Sequence, residues 1–289
     1  MKKVFFHSDL DGYIAGAIVS TVFKNCKFIE CDYDNRIDPL KYIQYGDDVV
    51  VVDYSFKPEE MKWVKEQCNF TWIDHHVSAI KDSQKYGYDD INGLREIGLS
   101  GAELTWKFYH GNSIPEFVRL VGDYDTFRSY GTKRFNNVVL PFFFGAEMFL
   151  PGFNPKNKGK EYFLFEIDRL GELVKKFVKF GEVVFRYKKA SFSKINRDNV
   201  FVRNMWGLRI LCLNTCEVGS LCMTIPETFN PKEHDAMLCY NFNGKNWSYG
   251  LYTNGHPEVD VSLIAKAYGG GGHQQACGFR LKELFPELK

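Results

Sequence analysis

The sequence predicts an α/β protein with a parallel-sheet N-terminal catalytic domain and a smaller α+β C-terminal substrate-binding domain. Three β-rich runs in the first 76 residues each stop at an acidic residue, and helical patterns separate them. Buried strands that alternate with helices indicate a parallel sheet. From about residue 195 the pattern becomes mostly β. At 289 residues the chain is long enough for both domains.

The three N-terminal strands are predicted at Lys3–Phe6, Asp48–Val52 and Phe70–Ile73. Between the first two lies a helix whose apolar residues from Ile14 to Phe23 share one face, and Pro58 opens another helix before the third strand. Ligands of parallel sheets bind outside the carboxyl ends of the strands. The acidic residues at these ends therefore indicate a site.

Further helices are predicted over Ser100–Tyr109 and Ile114–Val121, followed by a turn at Gly122–Asp125. Pro151–Lys160 has the composition of a linker, and a long helix is predicted from Glu161 to Lys189. These features predict a catalytic domain over residues 1–150, a basic linker and connecting helix over 151–194, and a substrate-binding domain over 195–289. The three segments carry net charges of −5, +6 and 0.

The C-terminal domain is predicted to contain four strands, one helix and a glycine-rich loop. The loop, Gly269–Gly272, is followed by His273, and the flanking apolar residues favour a fixed anion-binding loop over a flexible linker. The strands and helix are Val200–Arg203, Leu208–Leu213, Ala236–Asn241, Trp247–Thr253 and Ser262–Tyr268.

Composition excludes several classes of protein. A net charge of +1 is far from that of a dedicated duplex-DNA binder, so no long duplex partner is expected. Eight cysteines without a C-x-x-C pair favour a reduced protein, and the N-terminus lacks an apolar signal region. The longest apolar stretch, Val138–Phe153, is too short to span a bilayer. We expect a cytoplasmic protein without a membrane partner; a homodimer is left open.

The strand ends carry the residues that predict chemistry. His7, Asp9 and Asp11 are two residues apart, so an extended chain points them to one side. Asp53 ends the next strand, and the triplet that begins at Asp74 ends the third. A lone aspartate at such a place is often only a helix N-cap, but successive strand ends with imidazole and carboxylate groups predict a two-metal site.

These motifs resemble those of the DHH phosphoesterase family, which is named for the triplet that stands here as Asp74-His75-His76. Its other N-terminal motifs resemble the segments 7–12, 52–53 and 121–123, which read HSDLDG, VD and VGD. The segment 269–279, GGGGHQQACGF, resembles the signature of the DHH-associated substrate domain. Together they cover nearly the whole chain in the order of the compact two-domain members.

The resemblance implies two manganese ions and assigns their ligands. One ion would be held by His7, Asp9 and Asp53; the second would be held by Asp11, Asp53, His75 and Asp123. Asp53 would bridge the two ions, Asp74 would orient neighbouring ligands, and His76 would face the substrate phosphate. Asp125 is the alternative to Asp123, which the Val-Gly-Asp match favours. Substrate would contact Gly270, Gly271, Gly272 and His273.

The resemblance to this family predicts a manganese-dependent phosphodiesterase that hydrolyses short oligoribonucleotides or dinucleotides by a two-metal mechanism. Alternatives within this chemistry are a 3′,5′-bisphosphonucleotide phosphatase and a cyclic dinucleotide phosphodiesterase. A non-catalytic nucleotide or RNA sensor is the alternative from another class. One departure concerns Tyr252: many relatives carry an arginine there, in Ser-Leu-Arg-Ser, where this chain reads Gly-Leu-Tyr-Thr.

Overall fold

The fold was determined as a computed structural model, which describes residues 1–33, 36–150, 169–196, 199–215, 229–230, 232–253 and 258–289. Packing divides the chain into two compact units, Met1–Val183 and Val184–Lys289. The predicted linker, Pro151–Lys160, lies outside the described residues, so the predicted domain boundaries stay a prediction. No helix in the described part of the chain has both the length and the apolar character needed to cross a membrane.

The first unit contains a four-stranded sheet with the strand order β2-β1-β3-β4. All neighbouring strands are parallel, which confirms the predicted sheet. The strands are β1 (Lys2–His7), β2 (Cys26–Cys31), β3 (Asp48–Val52) and β4 (Asn69–Ile73).

Helices cover both faces of this sheet, because its strands are apolar on both sides. Successive residues such as Val50 and Val51 point to opposite faces of the sheet, and both are buried. In chain order the helices of this unit are α1 (Leu10–Val22), α2 (Pro58–Gln67), α3 (Val77–Tyr86), α4 (Gly101–His110), α5 (Glu116–Asp125) and α6 (Leu140–Phe149). A longer helix, α7 (Leu170–Asn196), begins in this unit, and its residues from Val184 onward belong to the second. Contacts with β1 and β3 place α1 over the sheet, contacts with β3 and β4 place α4 beside it, and α5 packs against both helices.

The segment Gly122–Asp125 corrects one prediction. It was expected to be a turn, but it forms the last turn of α5. Glycine is required at position 122 because the side chain of Glu103 on α4 occupies the space that a Cβ atom would need. A side chain at position 122 would therefore separate α5 from α4.

The second unit contains a six-stranded mixed sheet, which confirms the predicted α+β class. Its strand order is β5-β6-β7-β8-β10-β9, and only β6 and β7 run parallel. The strands are β5 (Val200–Met205), β6 (Leu208–Asn214), β7 (Ala236–Phe242), β8 (Trp247–Tyr252), β9 (Gly271–His273) and β10 (Ala276–Leu281). Among the described residues of this unit, the short helix α8 (Val261–Ala267) packs on the sheet.

Candidate metal centre

The predicted site residues of the first unit meet at the carboxyl end of its parallel sheet. His7 is the last residue of β1, Asp53 directly follows β3, and Asp74 directly follows β4. Because the three strands are adjacent and parallel, their ends lie along one edge. The fold thus gathers side chains that are up to 67 residues apart in sequence.

A first group of metal-ligand type consists of His7, Asp9 and Asp53, whose donor atoms lie within 4.8 Å of one another. His7 Nδ1 is 2.8 Å from Asp9 Oδ2 and 3.9 Å from Asp53 Oδ2. Asp9 also caps α1, because its Oδ1 accepts a hydrogen bond from the N–H of Gly12 at 2.9 Å. A Cβ atom at Gly12 would overlap the His7 backbone, so this glycine lets α1 start directly over the end of β1.

A second group consists of Asp11, His75 and Asp125. His75 Nε2 lies 3.4 Å from Asp125 Oδ2 and 3.2 Å from Asp53 Oδ1. The Asp11 carboxylate accepts hydrogen bonds from the N–H groups of Gly101 at 2.6 Å and Ala102 at 3.1 Å. The first turn of α4 therefore holds Asp11 against the site.

Asp74 and His76 form a pair at the edge of these groups. Asp74 Oδ1 lies 2.7 Å from His76 Nδ1 and accepts the N–H groups of His75 and His76 at 2.8 and 3.1 Å. Burial opposes protonation of His76, but the Asp74 charge outweighs it and raises the pKa of His76 to about 9. His76 is therefore a cation at neutral pH, with its ring orientation fixed by Asp74.

Asp53 lies between the two groups and is the least satisfied carboxylate of the site. It is 1% exposed, and neither of its oxygens has a hydrogen-bond donor among the described residues. Burial, followed by the charge of Asp11, raises the pKa of Asp53 well above its usual range. Its φ of 52° lies in the left-handed region, which costs about 1 to 3 kcal/mol and is concentrated at functional sites.

The pKa values of Asp11 and Asp125 are raised as well. Burial and then the charge of Asp125 raise the pKa of Asp11 to about 7, and burial raises the pKa of Asp125. Asp125 Oδ2 and Asp74 Oδ2 are buried without a hydrogen-bond donor in the described structure. Buried carboxylates at this spacing repel one another unless cations lie between them. Imidazole and carboxylate ligands suit first-row divalent ions, so the residues fit a metal centre.

Asp123 lies outside both groups, so the geometry favours Asp125 as the ligand, and the choice between the two stays a prediction. The Asp123 carboxylate accepts hydrogen bonds from Arg128 Nε at 2.9 Å and Arg134 Nη2 at 3.3 Å. Both aspartates lie on α5, where two residues correspond to a rotation of about 200°. Asp125 therefore faces the site while Asp123 faces the arginines.

The predicted glycine loop belongs to the second unit. Gly271, Gly272 and His273 form β9, which pairs with β10. The N–H of Gly270 donates to Ala265 O at 2.8 Å and so ends α8. Added Cβ atoms at Gly270 and Gly272 would overlap the backbone of β10, which gives these glycines a packing role. Their role in substrate binding stays a prediction.

Two features of the site are absent from the sequence-based prediction. Tyr33 packs its ring against those of His7 and His76, with centroids 5.3 and 5.8 Å apart, and nothing in the local sequence indicates this. Glu103 supports the first turn of α4: its carboxylate accepts Ser100 N–H at 3.1 Å, and Ser100 Oγ accepts Glu103 N–H at 3.3 Å. This capping box was visible as Ser-x-x-Glu.

The sequence matches none of the protein-family models with which it was compared. It is 25% identical over 247 residues to a curated protein of Acanthamoeba polyphaga mimivirus that is itself described as uncharacterized. That match covers 80% of this chain and 52% of the relative, so the chain spans about half the length of the curated relative it matches.

Two solved structures resemble the chain over nearly its full length. The pGpG-specific phosphodiesterase PggH from Vibrio cholerae is 15% identical, with a TM-score of 0.53; the match covers 98% of this chain and 94% of PggH. RecJ from Thermus thermophilus, solved in complex with Mn²⁺, is 13% identical, with a TM-score of 0.55; the match covers 99% of this chain and 50% of RecJ. The chain thus shares the fold of PggH and RecJ.

Proposed function

We propose that the chain is a DHH-type phosphoesterase, a manganese-dependent phosphodiesterase that hydrolyses short oligoribonucleotides or dinucleotides by a two-metal mechanism. One observation carries the proposal: Asp53 is buried between two groups of metal-ligand type, and neither of its oxygens has a donor among the described residues. A carboxylate shared by two cations explains this arrangement, whereas a structural aspartate would be hydrogen-bonded.

The comparisons support this chemistry. RecJ was solved with Mn²⁺, and PggH is a phosphodiesterase specific for pGpG, a dinucleotide. Both share the fold that brings the three strand ends together here. The motifs at His7–Gly12 and Asp74–His76 supply the same kinds of ligand that the family resemblance implies.

The proposed ligands of one cation are His7, Asp9 and Asp53. Those of the other are Asp11, His75 and Asp125, with Asp53 shared between the two. Two bound divalent cations supply neutralisation of the phosphoryl oxygens and activation of water. The N–H groups of α4 fix Asp11 in place, so this ligand is already oriented before substrate arrives.

His76 and Asp74 take the remaining roles. The Asp74 charge raises the pKa of His76 and so favours its protonated form, and the ring lies beside the proposed metal ligands, 3.9 Å from Asp53 Oδ1. A cationic ring there attracts the anionic phosphodiester and donates a hydrogen bond to its oxygens. Asp74 holds His76 Nδ1, so it maintains both the charge and the orientation of this ring.

Short substrates and a reducing compartment fit the rest of the chain. Residues 1–150 carry a net charge of −5, which disfavours long polyanions. The nucleotide is proposed to contact Gly270, Gly271, Gly272 and His273 of the second unit. A cytoplasmic location is part of the proposal, and the sequence feature behind it is the lack of a C-x-x-C pair.

The test is a substrate panel with the metal-free chain and with Mn²⁺, Mg²⁺, Co²⁺ or Zn²⁺ restored. The panel contains diribonucleotides, five-mers, single strands of about twenty nucleotides, 3′,5′-bisphosphorylated adenosine and cyclic dinucleotides, with products resolved by chromatography. We expect Mn²⁺-dependent hydrolysis of diribonucleotides and loss of turnover in Asp53→Asn. Asp90→Asn is the matched control, because Asp90 is an exposed carboxylate paired with Lys65.

Each other outcome selects a different function. Activity confined to bisphosphorylated adenosine indicates a phosphatase, and activity confined to cyclic dinucleotides indicates the cyclic dinucleotide phosphodiesterase. Faster degradation of the long strand indicates an exonuclease for single strands. Nucleotide binding without turnover of any substrate indicates a sensor. Hydrolysis that persists after complete chelation contradicts the metal centre itself.

A further inference from the structure

A cavity of about 280 Å³ lies beside the proposed metal centre, within the first unit. One end of the cavity is lined by the carboxylates of Asp9, Asp11 and Asp125, which are proposed metal ligands. The cavity is therefore continuous with the place where a substrate phosphate would lie. A chemical group bound in the cavity could therefore be joined to that phosphate by a short covalent linkage.

The rest of the cavity is mostly apolar. Its floor is formed by Leu10 at the start of α1 and Val121 on α5, which are otherwise buried. Its aromatic wall is formed by Tyr124 and Phe143, which lie on α5 and α6, and Glu147, one turn after Phe143 on α6, places a carboxylate at the rim of this wall. An apolar floor and an aromatic wall next to a charged end are the usual features of a site for an amphipathic small molecule.

The aromatic wall is pre-formed. The rings of Tyr124 and Phe143 are stacked, with centroids 3.7 Å apart and planes inclined by 12°. Each ring thus holds the other in place, although both remain partly exposed. A wall that is already ordered loses little conformational entropy when a ligand packs against it.

We propose that this cavity is a nucleobase subsite in which the base of the nucleotide joined to the reacting phosphate packs against Tyr124 and Phe143. The inference rests on the proposed function and deepens it, because it makes a nucleoside an obligatory part of the substrate. A nucleotide carries a planar apolar ring on the same unit as its phosphate, which matches a cavity with one ionic and one aromatic end. Inorganic pyrophosphate has no group for the aromatic end.

The size of the cavity sets how much of the substrate it holds. At about 280 Å³ it lies just below the usual range for small-molecule pockets, so it accommodates one nucleoside and not a longer strand. Stacking of a base on an aromatic side chain tolerates every base, because each has a π-face. The subsite is therefore expected to require a base without selecting a particular one.

The test compares a diribonucleotide with two analogues that each lack one base and keep the ribose and phosphates. For the Mn²⁺-loaded chain we expect kcat/KM to fall about 10-fold or more when one particular base is removed. Tyr124→Leu should lose a similar factor on the intact substrate and then be indifferent to removal of that base. Phe143→Leu is a second, independent variant with the same expected behaviour.

Tyr109→Leu is the matched control. Tyr109 is a half-buried aromatic residue of the same unit, paired edge-on with Phe23 at 5.7 Å. Phe23 follows the C-terminal end of α1, whereas the cavity lies at its N-terminal end, about 18 Å away for twelve residues of helix. This variant should keep the full response to base removal.

Two results overturn the subsite. In one, the wild-type chain hydrolyses both base-deleted analogues as fast as the intact substrate; in the other, Tyr124→Leu and Phe143→Leu slow intact and base-deleted substrates equally. A binding measurement keeps the test independent of turnover. Adenosine monophosphate should bind the Mn²⁺-loaded chain about 10-fold more tightly than ribose 5-phosphate, and the two leucine variants should lose this preference. Equal binding of both ligands by the wild type rejects the subsite, whereas absence of diester hydrolysis alone rejects only the proposed function.

Discussion

The Glu103 carboxylate accepts a hydrogen bond from Arg128 Nη2 at 2.8 Å, and Arg128, which follows α5, also donates to Asp123 on α5. On α4, Glu103 caps the first turn, whose N–H groups hold Asp11. On α5, it packs against Gly122, one turn before Asp125. Glu103 thus supports two proposed ligands of the second cation without being a ligand itself.

We expect Glu103→Gln to weaken Mn²⁺ binding several-fold and to lower the free energy of unfolding by about 1 kcal/mol. The amide keeps an acceptor for Ser100 but loses the charge that pairs with Arg128, and charge-assisted hydrogen bonds are the stronger kind. Mn²⁺ titration and thermal unfolding measure the two effects.

Glu96→Gln is the control, because Glu96 forms an exposed ion pair with Lys107, which lies on α4 as Glu103 does. Surface pairs contribute little, so this variant should leave Mn²⁺ affinity unchanged. Equal effects of the two substitutions would show that Glu103 acts only through helix stability.

Asp125→Asn is expected to impair Mn²⁺ binding, whereas Asp123→Asn is expected to lower the stability of the fold. Asp125→Asn should lower Mn²⁺-dependent activity about 100-fold or more, since it removes a charged ligand at the cluster. Asp123→Asn should keep kcat within a few-fold and lower Tm, because Arg128 and Arg134 lose a charged partner. Metal content and steady-state kinetics decide between the two, and loss of a metal ion in Asp123→Asn would restore the original assignment.

Asp53→Asn is expected to stabilise the metal-free protein at pH 8 while it abolishes stabilisation by Mn²⁺. The substitution removes the carboxylate charge most strongly opposed by its surroundings, and asparagine tolerates the left-handed backbone at φ 52°. Thermal unfolding with and without Mn²⁺ tests both effects. A metal-free variant less stable than the metal-free wild type would contradict the proposed repulsion.

The raised carboxyl pKa values predict opposite pH dependence for the metal-free and metal-loaded protein. Asp11, with a pKa of about 7, and Asp53 and Asp125, whose pKa values are also raised, bind more protons in the folded state than in the unfolded state. Ionising these buried carboxyl groups lowers the free energy of unfolding. The loss is absent below about pH 4, the pKa of an aspartate in the unfolded chain, and it grows as pH rises through about 7. Asp9 and Asp74 have lowered pKa values, so their contributions are constant over this window. His7 and His76 have raised pKa values, so the stability that their protonated forms contribute is also lost as pH rises above about 6.5, in the same direction.

The Tm of the metal-free protein should therefore fall between pH 5.5 and pH 8. Mn²⁺ binds the deprotonated ligands, so its affinity should rise over the same range. Calorimetric titration at several pH values, with thermal unfolding in parallel, measures both trends. Mn²⁺ affinity that does not change with pH would mean that these carboxylates are already ionised without metal.

Sequence patterns predicted those parts of the fold that local burial determines. The strand Asp48–Val52 was predicted with its observed bounds, because an uninterrupted run of valines is typical of a strand buried on both faces. The strand Cys26–Cys31 was not predicted. It is an edge strand of mixed polarity whose residues are partly exposed, so its pattern differs little from that of a loop.

The candidate ligands that follow strand ends could be located from the sequence. Those whose orientation depends on how helices pack could not. His7, Asp53 and Asp74 could be located from the strands that precede them. The choice between Asp123 and Asp125 depends on whether Gly122 lies within a helix, and that depends on Glu103, which is 19 residues earlier in the chain. No local pattern carries this information.

Gly101→Ala tests the closest contact between α4 and the metal centre. A Cβ atom at this position would overlap the side chain of Asp53, so the substitution must displace either the helix or this carboxylate. We expect Mn²⁺ affinity and activity to fall about 10-fold or more, although no ligand atom is removed, since small displacements of ligands and substrate are costly.

Gly171→Ala on α7 is the control, because an added Cβ there meets no atom within 4 Å. Alanine in a helix is favoured over glycine by about 1 kcal/mol, so the control should raise Tm and leave Mn²⁺ affinity unchanged. If Gly101→Ala behaves like the control in metal titration and kinetics, Asp53 is not held by α4 and the proposed preorganisation of the site is wrong.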